Sequence, residues 1–290
     1  MAYQFLKANK DKYTIKEMTG LLGVSRSAYY KWARGGISLR RKEADAEILC
    51  LIRQIVTEHH QRYGSPRVRQ ELIKRGICIS IKKVARLMRE NGLNARRKKK
   101  YTKTTDSNHN YRVSENILNR EFYAEKPGQK WVSDITYLRT AEGWLYETVV
   151  LDLCDRKVVG WALSEGMEAE ETSIAAFKMA VKNRTPMDGL IFHSDRGVQY
   201  CAENFRSTLK EHCPSVVQSM SRKGNVWDNA CMESFFKTLK WELNTLEGKH
   251  TKNEVRQSVF MYIEAYYNRI RLHSVLDYVA PNDLFLGDVA

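Results

Sequence analysis

Asp134, Asp195 and Glu233 are the residues of this 290-residue chain whose types and settings point to chemistry. Asp134 stands in KWVSDITYL (130–138), which alternates like a strand, and Asp195 ends the short apolar run GLIFHSDRG (189–197). Glu233 lies in Ser221–Glu242, SRKGNVWDNACMESFFKTLKWE. That stretch opens with the basic loop Arg222-Lys223-Gly224-Asn225 and continues as a helix to about Leu243, with Asp228 or Asn229 as its N-cap. On the helix Asn229, Glu233, Lys237 and Lys240 share one face, while Cys231, Phe235, Leu239 and Leu243 point toward a core. Taken alone, the first face is a solvated one with a weak i, i+4 Glu233–Lys237 pair. Three carboxylates converging from two strands and a helix suit a pair of hard divalent cations instead. Two such ions about 3.5–4 Å apart can activate a nucleophile and stabilise the leaving oxygen of a phosphodiester. Asp152 and Asp155 are rival acids, but they flank a turn and read as surface residues; Asp228 reads as a cap. His193 either orients the Asp195 carboxylate or simply ends a strand. Asn229, one turn before Glu233, fits a group that supports a metal ligand from behind.

The elements that must carry these side chains follow a regular order. Strands are expected at 130–139, 144–152 and 157–163, then a helix at 168–183, a strand at 190–194, a helix at 202–212 and a short strand at 216–220. The Glu233 helix comes next and a last helix spans about 252–268, followed by an aromatic and basic tail. The order β-β-β-α-β-α-β-α is that of an α/β layer fold.

The front of the chain has a different character. Residues 1–100 hold 25 basic and 8 acidic side chains, a net +17, whereas 101–290 hold 23 and 26, a net −3. A basic front on a near-neutral remainder reads as a polyanion-binding module joined to something else. Residues 14–34 read as a helix-turn-helix, with a Thr14/Glu17 capping box, Gly20 and Gly23 in the turn, and Ser25 capping a second helix. That helix would present Arg26, Lys31 and Arg34 to DNA. A second helical block over 42–93 has Ser65-Pro66 and Ser80 as helix starts and carries Arg67, Arg69, Lys82, Lys83 and Arg86. The run Arg96-Arg97-Lys98-Lys99-Lys100 opens a linker suited to tracking phosphates. The division expected is therefore 1–40 and 41–93 as two helical DNA-binding units, 94–126 as basic linker, 127–245 as the catalytic core and 246–290 as a C-terminal helix and tail. Six scattered cysteines form no CxxC, so neither a zinc site nor a disulfide framework is indicated. There is no export signal and no apolar run of membrane-spanning length, so a cytoplasmic, nucleoid-associated protein without membrane contact is expected.

These residues together resemble the DDE transposases of bacterial insertion sequences, more narrowly the second-frame product of the large family whose transposase is made by frameshift fusion. The resemblance rests on Trp131-Val132-Ser133-Asp134-Ile135-Thr136, His193-Ser194-Asp195-Arg196-Gly197 and Ser221-Arg222-Lys223-Gly224-Asn225. It continues through Trp227-Asp228-Asn229-Ala230, Met232-Glu233-Ser234-Phe235-Phe236, Lys240, and Tyr267-Asn268 with Arg271-Leu272-His273. It covers roughly residues 40–285. It implies an RNase H-like core of the retroviral-integrase type behind all-helical helix-turn-helix domains. It also implies Mg²⁺ as two ions, with Mn²⁺ as a substitute, and donor-strand cleavage followed by strand transfer. By position the acid triad maps onto Asp134, Asp195 and Glu233. Lys240, seven residues past the glutamate, maps onto a basic residue contacting DNA near the scissile phosphate; Lys237, Arg222 and Lys223 lie close enough in sequence to join it. The implied partners are double-stranded DNA (element ends and target), further copies of the chain on that DNA, and an upstream-frame fusion or partner protein. Asp195 and Glu233 are separated by 37 residues, two more than is usual in the family, and the excess is placed near Glu211–Val217. The other readings are an RNase H-like nuclease that cuts without joining, and a DNA-binding regulator with an inactive core.

Overall fold

The structure, a computed structural model, describes residues 1–33, 39–95, 112–243 and 248–285, with the side chains of 39–42 excepted. Two compact units divide the chain, Met1–Arg96 and Arg97–Ala290.

The first unit is helical. Helices α1 (Ala2–Ala8), α2 (Ile15–Leu21) and α3 (Arg26–Ala33) close on Leu6, Met18 and Tyr29. Thr14 and Glu17 form the full capping box at the start of α2. Gly23, at φ +62°, makes the turn into α3 in a region other residues rarely adopt. Helix α4 (Leu39–Glu58) packs with α5 (Ser65–Lys74) and α6 (Ile81–Glu90). Ile52, Ile55, Val68, Leu72 and Val84 are fully buried there. Ser80 caps α6 by accepting from the Lys83 N–H at 3.3 Å.

The second unit is built on a five-stranded mixed sheet. Its strands are β1 (Lys130–Thr140), β2 (Gly143–Asp152), β3 (Val158–Ser164), β4 (Ile191–Ser194) and β5 (Val217–Met220), in the spatial order β3-β2-β1-β4-β5. The first three form an antiparallel meander, and β4 and β5 add in parallel to β1. One face is covered by α7 (Ala175–Asn183), which continues a π-helical turn at Glu170–Ile174, by the short α8 (Val198–Cys201), and by α9 (Glu203–His212). Trp131, Val150, Phe177, Phe192, Tyr200 and Phe205 fill that layer, each contributing about 1.5–3 kcal/mol on burial. Gly160 lets α7 lie directly on β3, because a Cβ there would collide with the Ala176 carbonyl. A 3₁₀ turn (Val226–Asn229) leads into α10 (Ala230–Glu242), which contacts β1. Helix α11 (Lys252–Phe260) runs on into a π-helical stretch, Met261–Tyr267.

Three sequence readings are corrected here. Asp152 and Asp155 are not surface residues. Both are buried, and Arg184 donates to Asp152 at 2.8 Å and to both Asp155 oxygens at 2.6 and 2.9 Å. Asp152 also receives the Trp131 indole N–H at 2.9 Å and the Gly128 N–H at 2.7 Å. Neither Asp228 nor Asn229 caps α10 with its side chain; both are buried and bonded elsewhere. Residues 112–126, read as the end of a linker, run along the core instead. The Ile117 and Leu118 N–H groups donate to the Ser219 hydroxyl at 2.9 and 3.0 Å, and Leu118 is buried. The C-terminal segment is tied in similarly. Asn268 exchanges two hydrogen bonds with the Val158 backbone, and Arg271 forks onto the Glu242 carboxylate with Nε and Nη2 at 2.8–3.1 Å. Among the described residues no helix is long and apolar enough to cross a membrane.

Candidate active site

The register of the sheet brings Asp134 and Asp195 to the same place. Val132 on β1 pairs with His193 on β4, and each aspartate lies two residues beyond that pair, so both fall on one face of neighbouring parallel strands. The Ile135 N–H donates to Asp134 Oδ1 at 2.8 Å, and the Gly197 N–H to Asp195 Oδ1 at 2.9 Å. Glu233 stands exposed in the first turn of α10. The Asp134 carboxyl feels the other two. Burial raises the Asp134 carboxyl well above the usual carboxylate range, Asp195 and Glu233 raise it further, and the Ile135 N–H and Lys240 oppose them. Among the described residues no three His, Cys, Asp or Glu side chains form a group that could hold a metal ion as they stand. The donor chemistry nevertheless fits a hard cation: carboxylates within β1, just past the end of β4 and in the first turn of α10, two of which penalise the charge of the third.

Asn229 ties α10 to β1 beside this point. Its amide donates to the Ser133 carbonyl at 3.1 Å, while its buried Oδ1 has no hydrogen-bond partner. His193 does not orient Asp195. It is fully buried, with Nδ1 at 2.8 Å from Ser219 Oγ and Nε2 at 3.2 Å from Ser221 Oγ, and burial pushes its ring down to about 4. It joins β4 to β5 and to the chain beyond.

The polar face expected on α10 is only partly open. Glu233 and Lys237 are exposed, Asn229 is buried, and Lys240 is half-buried. Burial pulls the Lys240 ammonium below its usual range, while Glu147 and Asp134 pull it back up. Cys231 is not a core residue; the Arg156 guanidinium lies on its Sγ at 3.0 Å. Arg222 and Lys223 are exposed. Arg222 reaches Asp228 with Nε at 2.8 Å and Nη2 at 2.7 Å, and Arg120 and Asn116 donate to the same carboxylate at 2.8 and 2.9 Å.

In the helical unit Arg26, Lys31 and Lys82 are exposed. Lys83 and Arg86 are paired with Asp45 on α4 at 2.7 and 2.6 Å. Arg69 donates to the Ile79 carbonyl at 2.8 Å, and Arg67 lies over the Tyr63 ring. Arg34, Arg96, Arg97, Lys98, Lys99 and Lys100 fall outside the described residues.

One acid escaped the sequence reading. Glu147 is fully buried on β2, where it pairs with Thr136 of β1. An acid inside the apolar run LYETVVL was the available signal.

Comparison with known proteins agrees with this architecture. An integrase core domain family model matches residues 124–226, a second integrase core domain model matches 215–281, and an HTH-like domain model matches 42–101. Transposase InsF for insertion sequence IS3A of Escherichia coli (strain K12) is 41% identical over 288 residues, covering 97% of each chain. The 31 kDa protein of insertion element IS600 from Shigella sonnei is 40% identical over 264 residues, covering 91% of this chain and 96% of that one. Among solved structures, the HTLV-2 integrase catalytic core domain in complex with magnesium is 14% identical with a TM-score of 0.43, covering 56% of this chain and 98% of that one.

Proposed function

Because this chain belongs to the IS3 family of insertion-sequence transposases, we propose that it cleaves the donor strand at element ends and joins the freed 3′-hydroxyl to target DNA. The observation that carries the reading is the shared electrostatics of Asp134, Asp195 and Glu233, contributed by β1, the end of β4 and α10. These three residues would hold Mg²⁺, which when bound activates the attacking oxygen and stabilises the leaving one. No covalent intermediate on the protein is needed. Lys240 lies at the buried edge of the acid cluster, where its ammonium would meet the reacting phosphate. Lys237, Arg222 and Lys223 stand exposed on and before the same helix and would hold the flanking backbone. Asn229 fixes the start of α10 against the strand that carries Asp134. Arg26, Lys31 and Lys82 supply exposed cations for recognition of the element ends. Further copies of the chain on the DNA, and an upstream-frame partner, complete the proposed assembly.

The test is an assay that scores cutting and joining separately. A labelled duplex carrying the element end is incubated with supercoiled plasmid in Mg²⁺ or in EDTA. Joined product in Mg²⁺ alone supports the reading. Metal-dependent cutting with no joined product would assign the protein as a nuclease, and neither product would leave a DNA-binding regulator.

A further inference from the structure

Arg120 stands where the backbone does not favour it. The segment 112–126 turns tightly at 118–121, where the Glu121 N–H donates to the Leu118 carbonyl at 2.8 Å. Both central residues, Asn119 and Arg120, lie at positive φ, +42° and +64°. Such a turn favours asparagine followed by glycine. Asn119 fits it, but Arg120 fills the glycine position with a long charged side chain. Unfavoured backbone of this kind gathers at functional sites. What the turn achieves is a placement: Arg120 Nε meets Asp228 Oδ1 at 2.8 Å. Asp228 is well satisfied without it. Its buried carboxylate takes Arg222 Nη2 on Oδ1 at 2.7 Å, and the Arg222 N–H, Arg222 Nε and the Asn116 amide on Oδ2 at 2.8–2.9 Å. One carboxylate thus gathers two guanidiniums and leaves a surplus positive charge. Both terminal nitrogens of Arg120, and Nη1 of Arg222, have no partner among the described residues. The two side chains are 44% and 49% exposed.

We propose that Arg120 and Arg222, gathered on the Asp228 carboxylate, form a fork that grips one backbone phosphate of the bound DNA at the start of α10. Guanidinium N–H groups match phosphate oxygens in geometry and in charge. Asp228 orients both side chains before DNA arrives, so little of their freedom is left to lose on binding. The fork lies close to the acids along the chain: Asn229, the next residue, donates to the carbonyl of Ser133, which precedes Asp134, and Glu233 follows in the first turn of α10. Trp227, on the other side of Asp228 in the sequence, is 68% exposed. An open indole beside paired guanidiniums suits a nucleic acid, which offers bases as well as phosphates, better than a free anion. The inference rests on the transposase reading above, because it takes DNA as the ligand.

The test is the affinity of the full chain for a labelled terminal duplex across a salt series. Arg120→Gly suits the turn and leaves Asp228 with Arg222 and Asn116, so the fold keeps its tie while the fork loses one arm. Affinity should fall roughly tenfold, the scale of one charge-assisted contact. The plot of log affinity against log salt should become less steep by about one, because one phosphate contact is gone. Lys178→Gln removes an equal charge from α7, on the opposite face of the sheet, where Lys178 is exposed, and should leave the slope as it is. The slope decides. A shallower slope in Arg120→Gly alone supports the fork. An unchanged slope overturns it, whatever happens to affinity or melting temperature, and makes Arg120 a structural partner of Asp228. An equal change in Lys178→Gln overturns it too, since net charge would then be the cause. A wild-type chain that binds the duplex but joins none of it in Mg²⁺ would overturn the transposase reading instead, and the salt slopes would still judge the fork.

Discussion

At Asp134, burial, Asp195 and Glu233 all favour the protonated carboxyl, and only the Ile135 N–H and Lys240 oppose them. The folded-state pKa is therefore raised, so the native state binds more protons than the unfolded chain once the pH exceeds the ordinary value of 3.8. The stability tied to this group is fully present below that value and is lost as pH rises through the folded pKa. Asp134→Asn removes the effect. In EDTA at neutral pH the Asn variant should melt above the wild type, and the gap should narrow toward pH 4. Mg²⁺ should raise the melting temperature of the wild type by binding the native state and leave the variant unmoved. Thermal melts across pH, with and without Mg²⁺, check this; a wild type indifferent to Mg²⁺ would contradict it.

At the scale of elements, Asp228 ties three segments together. Its carboxylate is fully buried and accepts from Asn116 and Arg120 on the strap before β1, and from the Arg222 backbone and guanidinium on the loop before α10. The arginine pairing holds it far below the usual range. Asp228→Asn should therefore destabilise the core by about 2 kcal/mol at neutral pH, less than a wholly buried pair because both arginines are half exposed. A domain of this size then melts about 4–8 °C lower. An unchanged melting temperature would show that the strap and loop are held by other contacts.

These networks also mark where the sequence was readable. The strands around Asp134 and Asp195 were legible because their alternation and their apolar run are local properties, and the capping box at Thr14 and the cap at Ser80 lie within a single turn. Asp152, Asp155 and Asp228 were misread because each is buried by a partner far along the chain: Arg184 for the first two, Arg120 for the third. The strap was misread because its composition is polar, while what holds it is a serine on β5. Lys240 lies on the helix expected for it, but its half-burial was not legible, because that depends on how the helix packs on the sheet.

At the scale of the molecule, charge divides the work. Residues 1–100 carry a net +17 and 101–290 a net −3, and phosphate neutralisation supplies most non-specific affinity. A fragment of residues 1–100 should bind the element's terminal duplex with steep salt dependence. A fragment of residues 112–290 should fold around its sheet yet bind the same duplex weakly and without preference for the end. Affinities for terminal and scrambled duplexes across a salt series decide it, and tight end-specific binding by the second fragment would remove recognition from the helical unit.

The proposed chemistry turns on three carboxylates, Asp134, Asp195 and Glu233, acting as one site. The direct measurement is joining of a labelled terminal duplex to plasmid in Mg²⁺ by the wild type and by Asp134→Asn, Asp195→Asn and Glu233→Gln. DNA affinity is measured on the same preparations. Each variant should bind DNA as the wild type does and join none of it above background. A variant that joins at the wild-type rate would take its residue out of the site and contradict the metal-dependent mechanism built on all three.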